Sequence, residues 1–504
     1  IRNIIEDILN NPIVIKSSNH SEPYILSKQI SPYQNNSIVC HYNKTSTQGL
    51  ESYLTEYQKS KNEWKHTSWD IKKKIFLQAA DLIENDYYDK MLAFTMVSQN
   101  KSVFEAEIDA VCELADFIRF NVYYTELIMK KQPVQTYEHE NISEFHPLNG
   151  FVASITPFNF TAIAGNLATV PLFFGNSVIW KPSDNSILSN YLFYEILLES
   201  GLPSGVLNFC PMEPKDFSQV ITNNPELGAI LFTGSTTVLE NLYLKVGQNI
   251  SIFENFPKII GESGGKNFHL IDDSYVQENN KISSNNLPMV ILKSIEGAFN
   301  FSGQKCSACS TLYVPQKMMT TVTYYLKMET FKFISSSSNY GVINEESYYR
   351  LISIIESLKN DPQIEFIMGG RNHKQGTYFI EPCIVICTNH EHPVFHEEFF
   401  GPILAIYPYN NLEQVIKDCL EGNKYALTGS IFSQNEDTIG KVRTQLAPKT
   451  GNFYINDKCT GAVVGQQPFG GSGKSGTNDK AGDINLISRL YNQRNVKINH
   501  LFSK

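Results

Sequence analysis

Short apolar runs alternate with amphipathic ones through most of this chain. Runs at 151–155, 177–180, 206–210 and 229–232 have the length and β-branched content of buried strands. Between them lie helical stretches such as 190–200, which Gly201 closes as a C-terminal cap. Strands alternating with helices predict right-handed crossovers and a parallel, doubly wound sheet. A second alternating set starts near Lys258 and takes in 311–314, 379–387, 402–409 and 451–456. Ahead of both sets, 77–83 and 105–124 space apolar residues three and four apart with acids between, as helices covering a sheet would. Residues 1–50 are polar and irregular and read as an arm with short strands. The tracts 279–286 and 335–339 read as polar surface loops.

Ligands on doubly wound sheets bind beyond the carboxyl ends of the strands. The loops to watch are therefore 156–160, 181–184 and 233–235. The span 147–180 carries no formal charge, yet Pro157, Pro171, Gly165, Gly175 and four asparagines interrupt it, so it predicts buried strand and helix and no membrane span.

Composition narrows the partners. The chain has 504 residues, 42% hydrophobic and 18% charged, with a formal charge of −9 and no basic run. A small molecule is the expected partner, and neither nucleic acid nor an anionic membrane is. Nine cysteines without framework spacing fit a reducing compartment.

The chemistry centres on one turn. Phe301-Ser302-Gly303-Gln304-Lys305-Cys306-Ser307-Ala308-Cys309 follows the apolar helical run 291–299 and sets a cysteine in a small loop. A free cysteine is commonly a buried apolar group, and Cys306-x-x-Cys309 also suits half a metal site or a redox pair. Zinc needs a second pair, and only Cys383 and Cys387 offer one, in a strand-like run that buries its side chains; no metal is expected. A nucleophile is the sharper reading. The tract Gly470-Gly471-Ser472-Gly473-Lys474-Ser475-Gly476 is no phosphate loop, because Pro468 stands where that signature needs glycine. Its glycines read as sites of close backbone approach.

Seven motifs then occur in a telling order: Thr156-Pro157-Phe158-Asn159-Phe160, Trp180-Lys181-Pro182-Ser183, Phe232-Thr233-Gly234-Ser235, Gly261-Glu262-Ser263-Gly264-Gly265-Lys266-Asn267, Gly303-Gln304-Lys305-Cys306, Glu397-Glu398-Phe399-Phe400-Gly401-Pro402, and the run 451–456. From about Tyr53 to Asp483 the chain resembles the aldehyde dehydrogenase superfamily, and within it the branch that oxidises glutamate 5-semialdehyde, formed from pyrroline-5-carboxylate, to glutamate with NAD. The resemblance implies an α/β fold of two doubly wound parallel-sheet domains plus a projecting β element for assembly into a homodimer or higher homo-oligomer. It places the cofactor domain at 1–129 and 151–257, the catalytic domain at 258–485, and the projecting element at 130–150 with 486–504.

The resemblance also implies roles. Cys306 attacks the aldehyde as a thiolate, the Asn159 amide holds the oxyanion, and Glu262 activates the water that releases the acid. Thr156, Pro157, Phe158, Lys181, Ser183, Asp184, Gly234, Ser235, Glu398 and Phe400 would hold NAD, with Asp184 opposing a 2′-phosphate. Phe160 and Phe469 would sandwich the methylene chain, while Ser307, Thr460, Gly461 and Ala462 hold the carboxylate and Glu107 lies nearby. Ala462 stands where the family usually has serine. The competing readings are an aldehyde dehydrogenase of other specificity and a non-catalytic scaffold. Kinship suggests the mitochondrial matrix, with the cytoplasm as the alternative.

Overall fold

The computed structural model describes residues 1–15, 25–34, 37–275, 286–336, 341–370 and 377–502. Two sheets organise them. The first has five parallel strands in the order Leu207–Phe209, Val178–Lys181, Phe151–Ile155, Leu227–Thr233, Lys258–Glu262. The chain leaves Phe151–Ile155 in one direction along the sheet and returns on its other side with Leu227–Thr233. The crevice at that reversal lies beyond Ile155 and Thr233, where two of the loops expected to bind ligand begin.

The second sheet has seven strands: Ile364–Met368, Cys383–Cys387, Ile403–Tyr409, Cys309–Pro315, Asn267–Ile271, Thr428–Phe432, Asn452–Ile455. All pair in parallel except the edge strand Ile364–Met368. Both sheets are covered on both faces. One face of the first packs under the helices Trp69–Glu84, Tyr88–Gln99 and Leu114–Lys130, with Trp180, Phe193 and Phe173 fully buried. The nucleophile helix Leu287–Phe299 and the helix Met319–Ser336 cover one face of the second. Both apolar strand sets therefore read as continuous runs, since neither side of a parallel strand meets water.

Outside the sheets, His139–His146 and Asn492–Asn499 form a two-stranded antiparallel ribbon from segments about 350 positions apart. Among the described residues no helix is long and apolar enough to cross a membrane.

Several expectations need correction. Lys258–Glu262 does not open the second strand set; it is the edge of the first sheet, and the second sheet begins at Asn267. Burial on both faces gives strands of either sheet the same apolar pattern, so sequence periodicity cannot assign an edge strand to its neighbour. The N-terminal arm carries a helix, Arg2–Asn10, whose Ile5 and Ile8 are buried, before its three-stranded sheet. The expected helix over 105–124 is interrupted by a π-helical segment at Glu107–Glu113. Most of the tract 279–286 lies outside the described residues, as do residues 337–339; Ser335 and Ser336 end a helix.

Candidate active site

The loop bearing Cys306 leaves its helix through an unusual bend. Phe301, Ser302 and Gly303 all take left-handed backbone angles, with φ of 52°, 54° and 70°. Two of these are not glycine, so surrounding contacts must hold the bend in place. The Phe301 N–H donates to Glu105 Oε1 (2.9 Å), and the Gln304 side chain bridges the Phe301 carbonyl (3.2 Å) and the Ile343 N–H (2.8 Å). A β-carbon on Gly303 would stand 2.4 Å from the Gly401 carbonyl oxygen, so only glycine allows that approach.

Asn267 pins the nucleophile itself. Its Nδ2 donates to the carbonyls of Cys306 (2.7 Å) and Ala308 (2.9 Å), while its Oδ1 accepts from the Thr428 N–H (3.0 Å). Gly264 and Gly265 lie against the same turn. A β-carbon on Gly265 would fall 2.2 Å from the Cys306 carbonyl, and one on Gly264 would fall 2.4 Å from Glu398 Oε2. The glycine pair is thus the spacer that lets Glu398 and Cys306 close on the strand after Glu262.

Asn159 reaches this loop from the first sheet. Its Nδ2 donates to the Gln304 carbonyl (3.1 Å), two residues before Cys306, and its Oδ1 is buried without a partner. An amide nitrogen carries two hydrogens, so one remains for an oxyanion. Beneath it sits a buried ion pair absent from the sequence reading. Lys101 Nζ contacts Asp109 Oδ2 (2.6 Å) and the Asn159 carbonyl (2.7 Å), and lies over the rings of Phe160 and Phe301. Asp109 accepts the N–H groups of Thr161 and Ala162, capping the helix Thr161–Thr169 that follows Phe160. The π-helical segment places Asp109 there, whereas Glu107, the acid singled out from sequence, accepts a hydrogen bond from Tyr88. Nothing distinguishes the two acids in a run of helical spacing except that added residue in the turn.

Glu262 ends the strand Lys258–Glu262 and enters a pocket of glycines. Its Oε2 accepts the Gly471 N–H (3.0 Å), and β-carbons on Gly470 or Gly476 would approach its Oε1 to 3.0 and 2.7 Å. The glycine-rich tract therefore wraps a carboxylate. Burial raises Glu262 to about 8 despite the Gly471 N–H and Lys480. Burial likewise raises Glu398 to about 7, against the Gly265 N–H and Lys266. The Cys306 residue opens partly to the surface, yet enclosure of its sulfur pushes the thiol up to about 12, with Glu398 and Glu262 adding to the effect. Burial first, and the two carboxylates after it, therefore favour the protonated sulfur over the thiolate that attacks.

The remaining residues fall into two groups. At the carboxyl ends of the first sheet, Thr156 Oγ1 accepts from the Trp180 indole (2.9 Å), Lys181 is buried, and Ser183 caps the next turn. Asp184 Oδ2 pairs with Lys44 (2.8 Å), which also meets Glu213 (3.1 Å); Asp184 Oδ1 is buried without a partner. The Gly234 N–H donates to the Glu262 carbonyl, and Ser235 caps the helix Thr236–Gln248. Leu239, in that helix, fills the space over Gly261. Phe158 and Phe400 meet edge to face at 6.0 Å, Phe400 with a φ of 52°, which puts one aromatic from each sheet's loops in contact.

On the other side, Ser307 and Thr460 hydroxyls lie 2.8 Å apart, and Gly461 follows at a φ of 89°. Ala462 and Phe469 are half-buried, with Phe469 bridged to Ala481. Asn159, which lies 103 positions before Glu262 and 147 before Cys306, converges with both on one loop cluster.

The chain matches the model of the aldehyde dehydrogenase family over residues 20–496. It belongs to that family. A Schizosaccharomyces pombe protein named "Probable delta-1-pyrroline-5-carboxylate dehydrogenase" is 39% identical over 499 residues, covering 96% of this chain and 89% of the relative. The human mitochondrial delta-1-pyrroline-5-carboxylate dehydrogenase is 37% identical over 481 residues, covering 94% and 84%. Among solved structures, the Mycobacterium tuberculosis delta-pyrroline-5-carboxylate dehydrogenase bound with NAD matches with a TM-score of 0.91 and 32% identity, over 99% of this chain and 92% of that one.

Proposed function

We propose that this aldehyde dehydrogenase oxidises L-glutamate 5-semialdehyde, the open form of pyrroline-5-carboxylate, to L-glutamate with NAD, through a thioester on Cys306. The observation that carries the reading is the meeting of Cys306, Asn159 and Glu262 at one turn, in a chain whose relatives carry that activity in their names.

Cys306 sulfur adds to the aldehyde carbon while its proton passes to water at the partly open face of the site, because its surroundings oppose a free thiolate. The oxygen, now an alkoxide, receives the remaining Asn159 N–H. Bound NAD would supply the acceptor for the hydride that this carbon gives up. Glu262 then takes a proton from water, whose oxygen attacks the thioester and frees both the acid and the Cys306 thiol.

The cofactor residues fit NAD. The unpartnered Asp184 Oδ1 is a buried acceptor suited to a ribose hydroxyl and opposed to a 2′-phosphate. The N-terminus of the helix Thr236–Gln248, capped by Ser235, suits a pyrophosphate. Glu398 and Phe400 would face the nicotinamide end. Phe160 and Phe469 would flank the methylene chain, with Ser307, Thr460, Gly461 and Ala462 at the carboxylate.

Mixing purified protein with NAD and pyrroline-5-carboxylate should produce NADH absorbance, and Cys306→Ala should abolish it. Turnover of simple aliphatic aldehydes with none on pyrroline-5-carboxylate would transfer the chain to another specificity within the family. The mitochondrial names of relatives support work in the mitochondrial matrix, and the ribbon of His139–His146 with Asn492–Asn499 would be the element through which copies assemble.

A further inference from the structure

The glycine tract that wraps Glu262 is held from behind by one ammonium group. Lys480 Nζ donates to the carbonyls of Gly470 (2.5 Å) and Gly451 (2.8 Å) and to Asn452 Oδ1 (3.3 Å), so each of its three hydrogens has an acceptor. The Gly470 carbonyl belongs to the same peptide unit as the Gly471 N–H, and that N–H donates to Glu262 Oε2 (3.0 Å). A cation, one rigid peptide and a carboxylate are joined in a single hydrogen-bonded chain.

We propose that Lys480 is a positioning residue for Glu262: acting through the Gly470–Gly471 peptide, it holds the carboxylate in place and stabilises its negative charge. Two features support this. First, resonance couples the oxygen of a peptide to its N–H, so an ammonium on the Gly470 oxygen strengthens what the Gly471 N–H donates. The field of the ammonium has the same sign. Burial raises Glu262, and the Gly471 N–H and Lys480 oppose it, with Asp479 adding slightly to the rise. Burial lowers Lys480 in turn, and Glu262, ahead of Asp483, opposes that. The Cys306 thiol faces Glu262 from across the site.

Second, the turn that carries Lys480 is built to keep it there. Lys480 and Asn478 take φ of 32° and 60°, angles that cost energy in residues other than glycine. Contacts on both sides hold the bend. Next to Glu262, the Thr477 N–H donates to the Gly261 carbonyl (2.8 Å) and the Gly261 N–H donates to Thr477 Oγ1 (3.0 Å). Next to Gly470, Phe469 and Ala481 exchange both backbone hydrogen bonds (3.0 and 2.7 Å). Asp479 is taken up by the Thr477 hydroxyl (2.6 Å) and by Arg489 (3.4 Å), which leaves Lys480 to the glycines.

This inference rests on the role given to Glu262 above, so its first readout needs no substrate. The infrared stretch of a protonated carboxyl, identified by its absence from Glu262→Gln, titrates Glu262 in the resting enzyme. Its midpoint should rise by about one pH unit in Lys480→Met and stay near the parent's in Lys480→Arg, as losing or keeping an opposite charge requires. With NAD and pyrroline-5-carboxylate, Lys480→Met should keep an NADH burst near one per site while steady-state kcat at pH 7 falls about tenfold and recovers as pH rises, because only the water-activating step uses Glu262. Lys480→Gln replaces Lys480→Met if the latter misfolds. An unmoved midpoint in the uncharged variant, or burst and steady state falling together at every pH, would overturn the proposal. A shifted midpoint in a protein whose parent does not turn over pyrroline-5-carboxylate would remove the substrate reading and leave the link between Lys480 and Glu262 standing.

Discussion

Lys101 Nζ and Asp109 Oδ2 lie 2.6 Å apart with each side chain only 1% exposed, and together they grip the backbone on both sides of Phe160. Neither touches Cys306, so their contribution to the chemistry is to position Asn159.

Removing one partner leaves an uncompensated buried charge. Asp109→Ala should cost about 3–5 kcal/mol of stability, read by denaturant unfolding. The paired replacement Lys101→Met/Asp109→Leu should regain much of that stability while kcat stays low, because Asn159 loses its anchor. Recovery of full kcat in the pair would show that the ion pair has no positioning role.

The Cys306 thiol should be a slow nucleophile in the free enzyme. With its proton held up to about pH 12 by enclosure, Glu398 and Glu262, alkylation by iodoacetamide at pH 7 should lag well behind that of a free cysteine peptide and accelerate as pH rises. Peptide mass spectrometry of Cys306 over a pH series reads this directly. Alkylation that is fast at pH 7 and flat with pH would contradict the geometry around the sulfur.

Glu262 links activity and stability in opposite directions. Its folded value, about 8, lies above its ordinary 4.5, so between those pH values the folded chain binds more protons than the unfolded one. The stability contributed by this group is present at low pH and is lost as pH rises towards 8. Its capacity as a base grows over the same range. Glu262→Gln should flatten both profiles and lower steady-state kcat about 10²–10⁴-fold, leaving a burst of NADH near one per site. Loss of the burst together with the steady state would move Glu262 from thioester hydrolysis to an earlier step.

Asp184 should set cofactor choice. Asp184→Ala removes the carboxylate that opposes a 2′-phosphate and leaves Lys44 with Glu213 as its one remaining acidic partner among the described residues. The ratio of kcat/KM for NAD to that for NADP should fall by about tenfold or more, as expected for exchanging one charged contact. An unchanged ratio would place the ribose elsewhere.

Much of this molecule is legible in its residue order because parallel sheets demand continuous apolar runs, and those of 151–155, 402–409 and 451–456 fall where the strands Phe151–Ile155, Ile403–Tyr409 and Asn452–Ile455 form. The same property hid which sheet Lys258–Glu262 joins. Cys306 stood out in its small turn, whereas Glu262 beside Gly264 and Gly265 stood out only through the family resemblance. Asp109 did not, since one π turn decides which acid of a helical run faces inward. Asn267 is the last residue of its motif, and its hold on the Cys306 carbonyl follows only from the strand register.

The Cys306 loop is held by Glu105 and Asn159 from one sheet's flank and by Asn267 and Gly401 from the other's. Neither half of the molecule can shape that loop alone. During refolding, helical and strand signals should therefore mature first and catalytic competence last, when the halves dock, which makes enzyme turnover a clock for the final event of assembly.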